Sequence, residues 1–489
     1  MNEPIRRLSV LALVLFLILM GAASYVQVLE ADSLNADARN VRTLYREYGN
    51  FRGPIIVDGE AIVYSTPVDS PFNYQRTYVD GPLYASVTGY YSIVFGRTGV
   101  EQTENSLLNG TADALFWSRL GDLFAGREQE GASVELTIRA SLQAAAAEAL
   151  GDQRGAVVAL DPRTGEILAM VTSPSYDPTL VAGHHTPTVN QNYQALLADP
   201  TRPLINRAIA GDTYPPGSVF KLVVAAAALE AGLEPGSEIF APKELALPQT
   251  SNTIRNYGGV ACTASGDTTT LEDALRTSCN TAFADLGMAL GWDAIEAKAL
   301  EFGWEQKFDI PLSAAVSQLP ENPDVPQTAM SALGQYDVRA TPLQLAMLAA
   351  AIANDGELMT PYLIRAIRSP DLQVLERADP SVYSTPMSPA IANALTDMMV
   401  TVVDNGTGRN ARIEGVTVAG KTGTAETGVG GSPHAHFIAF APAENPIIAV
   451  AVVIENGGDL GDEATGGRLA APIARAVIEA ALALARGQG

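Results

Sequence analysis

Two lysines and two serines hold the chemistry this sequence offers. In Thr213-Tyr214-Pro215-Pro216-Gly217-Ser218-Val219-Phe220-Lys221-Leu222, Pro and Gly break the chain just before an Ala-rich helical run, so Ser218 is expected at a helix N-terminus. Lys221 follows on the same face, where its amine can approach the Ser218 hydroxyl. Serine becomes a nucleophile once a base takes its proton, and lysine serves as that base when burial or a nearby cation lowers its pKa. The free amides of the helix start would bind an oxyanion. No other Ser-x-x-Lys occurs in the chain. A second group, Val418-Ala419-Gly420-Lys421-Thr422-Gly423-Thr424-Ala425, closes a predicted strand, and Gly423 permits another backbone to approach. A ligand paired along that edge as an added strand would have its carboxylate held by Lys421 and the hydroxyls of Thr422 and Thr424. The third group, Ser278-Cys279-Asn280, begins or interrupts a helical run and offers a hydroxyl and an amide.

The composition narrows what these groups can serve. There are 31 Lys and Arg, and only Lys221, Lys243, Lys298, Lys307 and Lys421 are lysines; elsewhere the chain uses the base that cannot lose its proton. Lysine in two of the three motifs is therefore informative, whereas Lys243, Lys298 and Lys307 are read as solvated surface. A net charge of −23 repels phosphate backbones and excludes nucleic acid as a partner. With two cysteines and four histidines the expectation is neither metal nor cofactor. His434 and His436 have no adjacent Cys, Asp or Glu ligands, and His184-His185 reads as exposed loop.

The start of the chain sets the compartment. From Leu8 to Leu29 no residue is charged, and as a helix this stretch covers the ~30 Å bilayer core. Arg6 and Arg7 precede it and Glu30 and Asp32 follow, so the positive-inside rule keeps the N-terminus cytoplasmic and exports the rest as a single-pass membrane protein. A cleaved signal peptide is the other reading, with Gly21, Ala22 and Ala23 as the small residues a peptidase needs. Export under either reading permits a disulfide between Cys262 and Cys279; a buried free thiol is the alternative.

Three segments are expected: a cytoplasmic tip and anchor over 1–29, a small strand-rich N-terminal domain over 30–133, and a large domain over 134–489. In the last, a hairpin (Ala156–Leu160 and Glu166–Val171) comes first. Helical patterns follow over 222–231, 271–290, 293–302, 343–353 and 390–403, and short apolar runs return at 416–419, 437–441 and 447–454 before a closing Ala-rich helix over 470–485. The implied class is α+β: an antiparallel sheet assembled from both ends of the domain and flanked by helices.

Ser-x-x-Lys, Ser-x-Asn and Lys-Thr-Gly in this order are a known signature of penicillin-binding proteins and class A β-lactamases. Gly155 to Pro178, Asn206-Arg207-Ala208, Thr341-Pro342-Leu343-Gln344 and Phe437 to Pro442 further resemble the transpeptidase domain of class B penicillin-binding proteins. Upstream, Phe51-Arg52-Gly53 through Asp58-Gly59 and Gly99-Val100-Glu101 resemble that family's N-terminal pedestal, whose shortness here is similar to the penicillin-binding protein A type. The resemblance implies a peptidoglycan D,D-transpeptidase. Ser218 would be acylated by D-Ala-D-Ala stem peptides, Lys221 would take its proton, and Ser278 would relay a proton to the leaving D-alanine. Asn280 would bind the stem, Lys421, Thr422, Gly423 and Thr424 would hold the terminal carboxylate, and the amides of Ser218 and Thr424 would form the oxyanion hole. β-Lactam antibiotics would trap the serine, and cell-division or elongation machinery would be the protein partner.

Two departures qualify that picture: Cys279 stands in the middle of the second motif, where a bond to Cys262 would pin Asn280, and His436 stands where relatives often place a bulky aromatic. The alternatives are a D,D-carboxypeptidase or β-lactamase-type hydrolase, for which no Glu-x-x-Leu-Asn follows the second motif, and a non-enzymatic membrane-anchored β-lactam sensor.

Overall fold

The computed structural model describes residues 2–30, 48–126, 128–263, 266–427 and 431–487. The uncharged N-terminal stretch forms helix α1 (Asn2–Ser24), continued to Leu29 by a wider turn, and residues 3–29 are long and apolar enough to cross a membrane, with none of the span buried in protein. Asp32, with the rest of 31–47, lies outside the described residues.

The N-terminal domain is built on a sheet of β1 (Ile55–Val57), β2 (Glu60–Pro67), β3 (Tyr74–Tyr78) and β4 (Ser133–Leu136), completed by strands Ile364–Arg368 and Val374–Arg377 in the order 374–364–β4–β1–β2–β3. Residues 30–133 thus do not close this sheet alone: two of its strands come from the far side of the large domain, and the expected boundary at 134 falls inside β4. Short helices interrupt the strand-rich reading, among them α2 (Phe116–Ala125). Its charged centre is Glu101, fully buried and accepting from Arg52 Nε at 2.5 Å and Arg76 Nε at 2.6 Å. Burial pushes this carboxyl up, but the two guanidinium groups outweigh it and hold the pKa below the ordinary value. Arg52 also lies 4.2 Å over the Tyr91 ring.

The large domain centres on a five-stranded sheet in which all neighbours are antiparallel. Its strands are β5 (Gly155–Leu160), β6 (Ile167–Ser173), β7 (Ala419–Ala425), β8 (His434–Ala441) and β9 (Ile448–Ile454), in the order β7-β8-β9-β5-β6. The opening hairpin and the closing strands meet at β5 and β9, as the sequence order requires. Around the sheet stand α3 (Ala140–Leu150), α4 (Lys221–Glu230), α5 (Leu271–Arg276), α6 (Asn280–Leu290), α7 (Pro342–Ala353), α8 (Pro389–Asn405) and α9 (Gly466–Ala485).

Alternate strand residues enter different cores. Val450, Val452 and Ile454 pack with Leu142 of α3 and Val477 of α9, while Ala449, Ala451 and Val453 pack with residues of α4, α7 and α8. Both faces are covered, which is why these strands are almost wholly apolar instead of alternating. Small Ala residues on β9 let α7 lie close to the sheet.

Two surface readings are corrected by packing. Lys298 is buried: it reaches Glu230 and Glu301 at 2.5 Å each and the Pro386 carbonyl at 2.5 Å, tying α4 to the helix after α6. Its aliphatic stem fills the gap between helices while its charge is paired. His184 is not loop surface either; its ring lies 4.8 Å from Phe72 and its Nδ1 3.2 Å from Ser70 Oγ, joining the two domains.

Glu101→Gln is expected to lower unfolding free energy by about 3–5 kcal/mol, because two buried guanidinium groups lose their only shared countercharge. Denaturant unfolding of the purified chain measures it, and a loss under ~1 kcal/mol would show that water reaches the arginines.

Candidate active site

The three motifs converge on the edge of the central sheet. Ser218 lies in a single 3-10 turn, Gly217–Val219, and Lys221 opens α4 immediately after it. The helix begins one residue before the expected 222–231 run, Ser218 stands in the turn that leads into it, and Gly217 turns the chain at φ +54°. That turn sits against β7: a Cβ on Gly217 would lie 2.6 Å from the Thr424 carbonyl, and one on Gly423 would lie 2.9 Å from the Pro216 carbonyl. No larger side chain fits between turn and strand, which is the close approach expected of Gly423.

Lys421 occupies the middle of β7 instead of its end, because the strand continues its pairing with β8 as Lys421↔Ile438, Gly423↔His436 and Ala425↔His434. β7 is an edge strand, and alternation puts Lys421 on the face toward α4 and Thr422 on the other. Thr422 Oγ1 is 2.6 Å from Thr407 Oγ1, a residue between two glycines that sequence reasoning passed over. Thr424 remains partly exposed.

Ser278 sits where the expected continuous helix over 271–290 breaks. After α5, the Ser278 amide donates to Leu275 O at 3.1 Å and the Cys279 amide to Ala274 O at 2.8 Å. This is the paired closure of a helix C-terminus that usually carries glycine in the left-handed conformation. Here it carries serine at φ +59°, a strained geometry for a residue with a Cβ. Asn280 begins α6, and its amide and that of Thr281 both donate to Asn256 Oδ1, at 2.8 and 3.1 Å. Asn256 therefore does the capping that the residue before the helix cannot, because Cys279 is bonded to Cys262, 17 positions earlier. Nothing in the sequence pattern singled out Asn256.

The side chains then meet. Lys221 and Lys421 are both fully buried, and both reach Ser278: Lys421 Nζ donates to Ser278 Oγ at 3.0 Å, and Lys221 Nζ lies 3.4 Å from the same oxygen. Lys221 also donates to Ser278 O and to Asn280 Oδ1, each at 2.8 Å, and Lys421 to Thr422 O at 2.8 Å. Asn280 Nδ2 is engaged by Arg255 O at 3.1 Å. The expected Ser218–Lys221 hydrogen bond is not formed among the described residues; the amine is held by Ser278 and Asn280 instead. Apo sites commonly hold such pairs loosely.

Burial, then the charge of Lys421, drives the Lys221 amine well below the ordinary lysine range. Burial alone brings Lys421 to about 7. His436, opposite Gly423, is fully buried with neither ring nitrogen well hydrogen-bonded, and desolvation followed by repulsion from His434 lowers it to about 3. It is a neutral packing residue behind the strand. No cluster of three or more His, Cys, Asp or Glu suited to a metal ion is found among the described residues.

A further set of positioning groups lies behind the turn. Glu455, at the end of β9, accepts from Tyr214 Oη at 2.7 Å and Arg207 Nε at 3.0 Å and pairs with Arg154. Tyr214 in turn exchanges backbone bonds with Ala340, at 2.9 and 2.8 Å, so the segment entering Ser218 is fixed at side chain and main chain. A carboxylate directly after a long apolar run was the one sequence signal that would have found Glu455.

Known proteins share this arrangement. Residues 155–479 match the Penicillin binding protein transpeptidase domain, and residues 52–134 match the Penicillin binding protein A dimerisation domain. Over 491 residues the chain is 45% identical to the peptidoglycan D,D-transpeptidase PbpA of Mycolicibacterium smegmatis, covering 99% of both chains. Against PbpA of Mycobacterium tuberculosis it is 44% identical over 493 residues, again with 99% of each covered. In three dimensions it overlays the ceftriaxone acyl-enzyme complex of penicillin-binding protein A from M. tuberculosis with a TM-score of 0.87 at 43% identity, over 90% of this chain and 100% of that one. The chain therefore belongs to the penicillin-binding protein transpeptidase family. The match along both regions makes it a class B member of the penicillin-binding protein A type, an enzyme of the serine-type D,D-transpeptidase class.

Two substitutions test the local geometry. Ser278→Ala and Ser278→Gly both remove the hydroxyl, but only glycine relieves the left-handed backbone, so the glycine variant is expected to be more stable than the alanine variant by about 1 kcal/mol. Equal denaturation midpoints would mean the position is unstrained. Replacing Cys262 and Cys279 together by serine is expected to cost roughly 3 kcal/mol through the reopened loop, read as a lower midpoint under non-reducing conditions; two alkylatable thiols in the native chain would dismiss the bond.

Proposed function

We propose that Ser218 is the nucleophile that opens D-Ala-D-Ala stem peptides of peptidoglycan and that Lys221 is its base. The observation that carries this reading is the allocation of hydrogens at Lys221. A neutral amine has two N–H groups and one lone pair; the two hydrogens are engaged at 2.8 Å by Ser278 O and Asn280 Oδ1, which leaves the lone pair to accept. Two buried amines close to one hydroxyl cannot both be cations cheaply, and at Lys221 burial and the charge of Lys421 both push toward the neutral amine.

In the proposed reaction the Ser218 proton passes to Lys221 as Oγ bonds to the penultimate D-alanine carbonyl. Amides of Ser218 and Thr424 hold the oxyanion. When the C–N bond breaks, Ser278 hands a proton to the departing D-alanine amine and is replenished from Lys221. A stem-peptide amine of a neighbouring strand then attacks the ester, loses a proton to Lys221 and restores Ser218 Oγ–H. Lys421 serves mainly by donating to Ser278 Oγ, which holds that hydroxyl in place for the relay. The ligand carboxylate falls to Thr424, which remains partly exposed on β7, and Asn280 orients the stem while holding the base. β-Lactams mimic the dipeptide and acylate the same serine, as the acyl-enzyme structures of the M. tuberculosis relative make reasonable for this chain.

The residue 3–29 helix is proposed as a retained single-pass anchor with Arg6 and Arg7 on the cytoplasmic side and the remaining chain outside, placing the site beside a fixed polymer and within reach of division or elongation machinery. On this reading 1–29, 30–133 and 134–489 act as anchor, pedestal and enzyme.

Fluorescent penicillin is expected to label the full chain and to leave Ser218→Ala unlabelled; persistent labelling rejects the nucleophile. Incubation with a synthetic stem peptide and an acceptor amine should yield cross-linked product in excess of hydrolysed product. The acylation rate should rise with pH and level off well below the range of an ordinary lysine, since Lys221 acts only when deprotonated. Lys421→Met removes the charge that helps depress Lys221, so it should move this profile to higher pH, and an unmoved profile would remove Lys421 from the scheme.

A further inference from the structure

Helix α2, Phe116–Ala125, is strongly two-sided. At 100° per residue Phe116, Leu120, Leu123 and Phe124 fall within one stripe about 100° wide. In a soluble body such a stripe faces a core. Here it does not: Leu123 is 75% exposed and Phe124 83% exposed. Large apolar side chains this open at neighbouring positions mark a surface that meets something other than water.

The position of the helix in the chain path identifies what it meets. The body begins at Tyr48, whose hydroxyl donates to Ser92 O at 2.7 Å, and three residues on Phe51 bridges Glu130 and accepts from the Gly131 amide at 3.1 Å. Helix α2 ends at Ala125, a few residues before that bridge, so it lies within about 17 Å of chain from the point where the segment leading from the anchor enters. Between Leu29 and that entry only residues 30–47 intervene, a reach of no more than about 65 Å. The tethered end of the body is thus the end that carries the apolar helix. A second copy of the chain is the competing occupant, since the helix lies within residues 52–134, which match a dimerisation domain; the short path from the helix to the anchored end of the body favours lipid.

We propose that helix α2 lies in the outer interface of the bilayer that holds the anchor, its Leu123–Phe124 stripe among the acyl chains, and so fixes the pedestal against the membrane at a second point. Aromatic and leucine side chains partition at that depth, roughly 5–10 Å below the headgroups. A second contact sets the height and tilt at which the sheet edge meets the polymer. This rests on the reading of residues 3–29 as a retained anchor.

The test uses the full chain, one copy per phosphatidylcholine nanodisc, with a photo-crosslinking residue introduced as Phe124→p-benzoylphenylalanine. Parallel samples carry the same residue at Leu15, inside the anchor, and at Tyr257, 71% exposed beside the active site. Lipid adducts found by mass spectrometry at Leu15 and Phe124, the latter roughly tenfold above Tyr257, are the expected result. Adducts at Leu15 with none above the Tyr257 level at Phe124 overturn the proposal and leave the anchor intact. Absence at Leu15 overturns both. In proteoliposomes holding many copies, chain-to-chain adducts at Phe124 in place of lipid adducts would reassign the helix to a dimer contact and reject the lipid assignment.

Discussion

The site depends on one hydroxyl held between two amines that water cannot reach. Ser278 Oγ takes a hydrogen from Lys421 and faces Lys221, and both lysines are fully buried. Two ammonium groups there would pay desolvation and mutual repulsion together. On the proposed reading the proton leaves Lys221, and a free amine is held ready next to Ser218. A serine-lysine site is in this sense a consequence of dryness: open it to water and both amines regain their protons.

Holding that hydroxyl in place strains the chain, and the surroundings over-determine it. Ser278 occupies a left-handed position that glycine would fill without strain. It is fixed from the α5 side by the closing amide bonds and from the α6 side by Asn256, which caps the first two amides of that helix. The Cys262–Cys279 bond ties the loop bearing Asn256 to the residue after Ser278. A position so braced cannot relax toward the unstrained backbone, and the hydroxyl keeps its aim when ligand enters.

The same logic governs the turn that carries Ser218. It rests on β7 because Gly217 and Gly423 leave no side chain between them, and its approach is fixed by Tyr214 on Glu455 and Ala340. Because the N-terminal sheet borrows strands at 364–368 and 374–377 from the far domain, pedestal and enzyme share backbone ladders and do not behave as beads on a linker. Rigidity then runs from the tethered end to the sheet edge.

Read alone, the residues 218–221, 278–280 and 421–424 already pick out the groups that the fold brings together, because rare lysines at short spacings are local facts. The hairpin, the helical middle and the closing strands likewise follow from local apolar periodicity, and their order fixes the antiparallel sheet. What folding decided was everything set by long-range contact. Whether Lys421 points outward to a ligand or inward to Ser278 depends on the register of β7 against β8. The break that makes Ser278 depends on an Asn two dozen residues away, and the burial of Lys298 depends on three separate segments. Side-chain protonation belongs to this second class too: a pKa reports how much water and charge surround a group, and no spacing along the chain contains that.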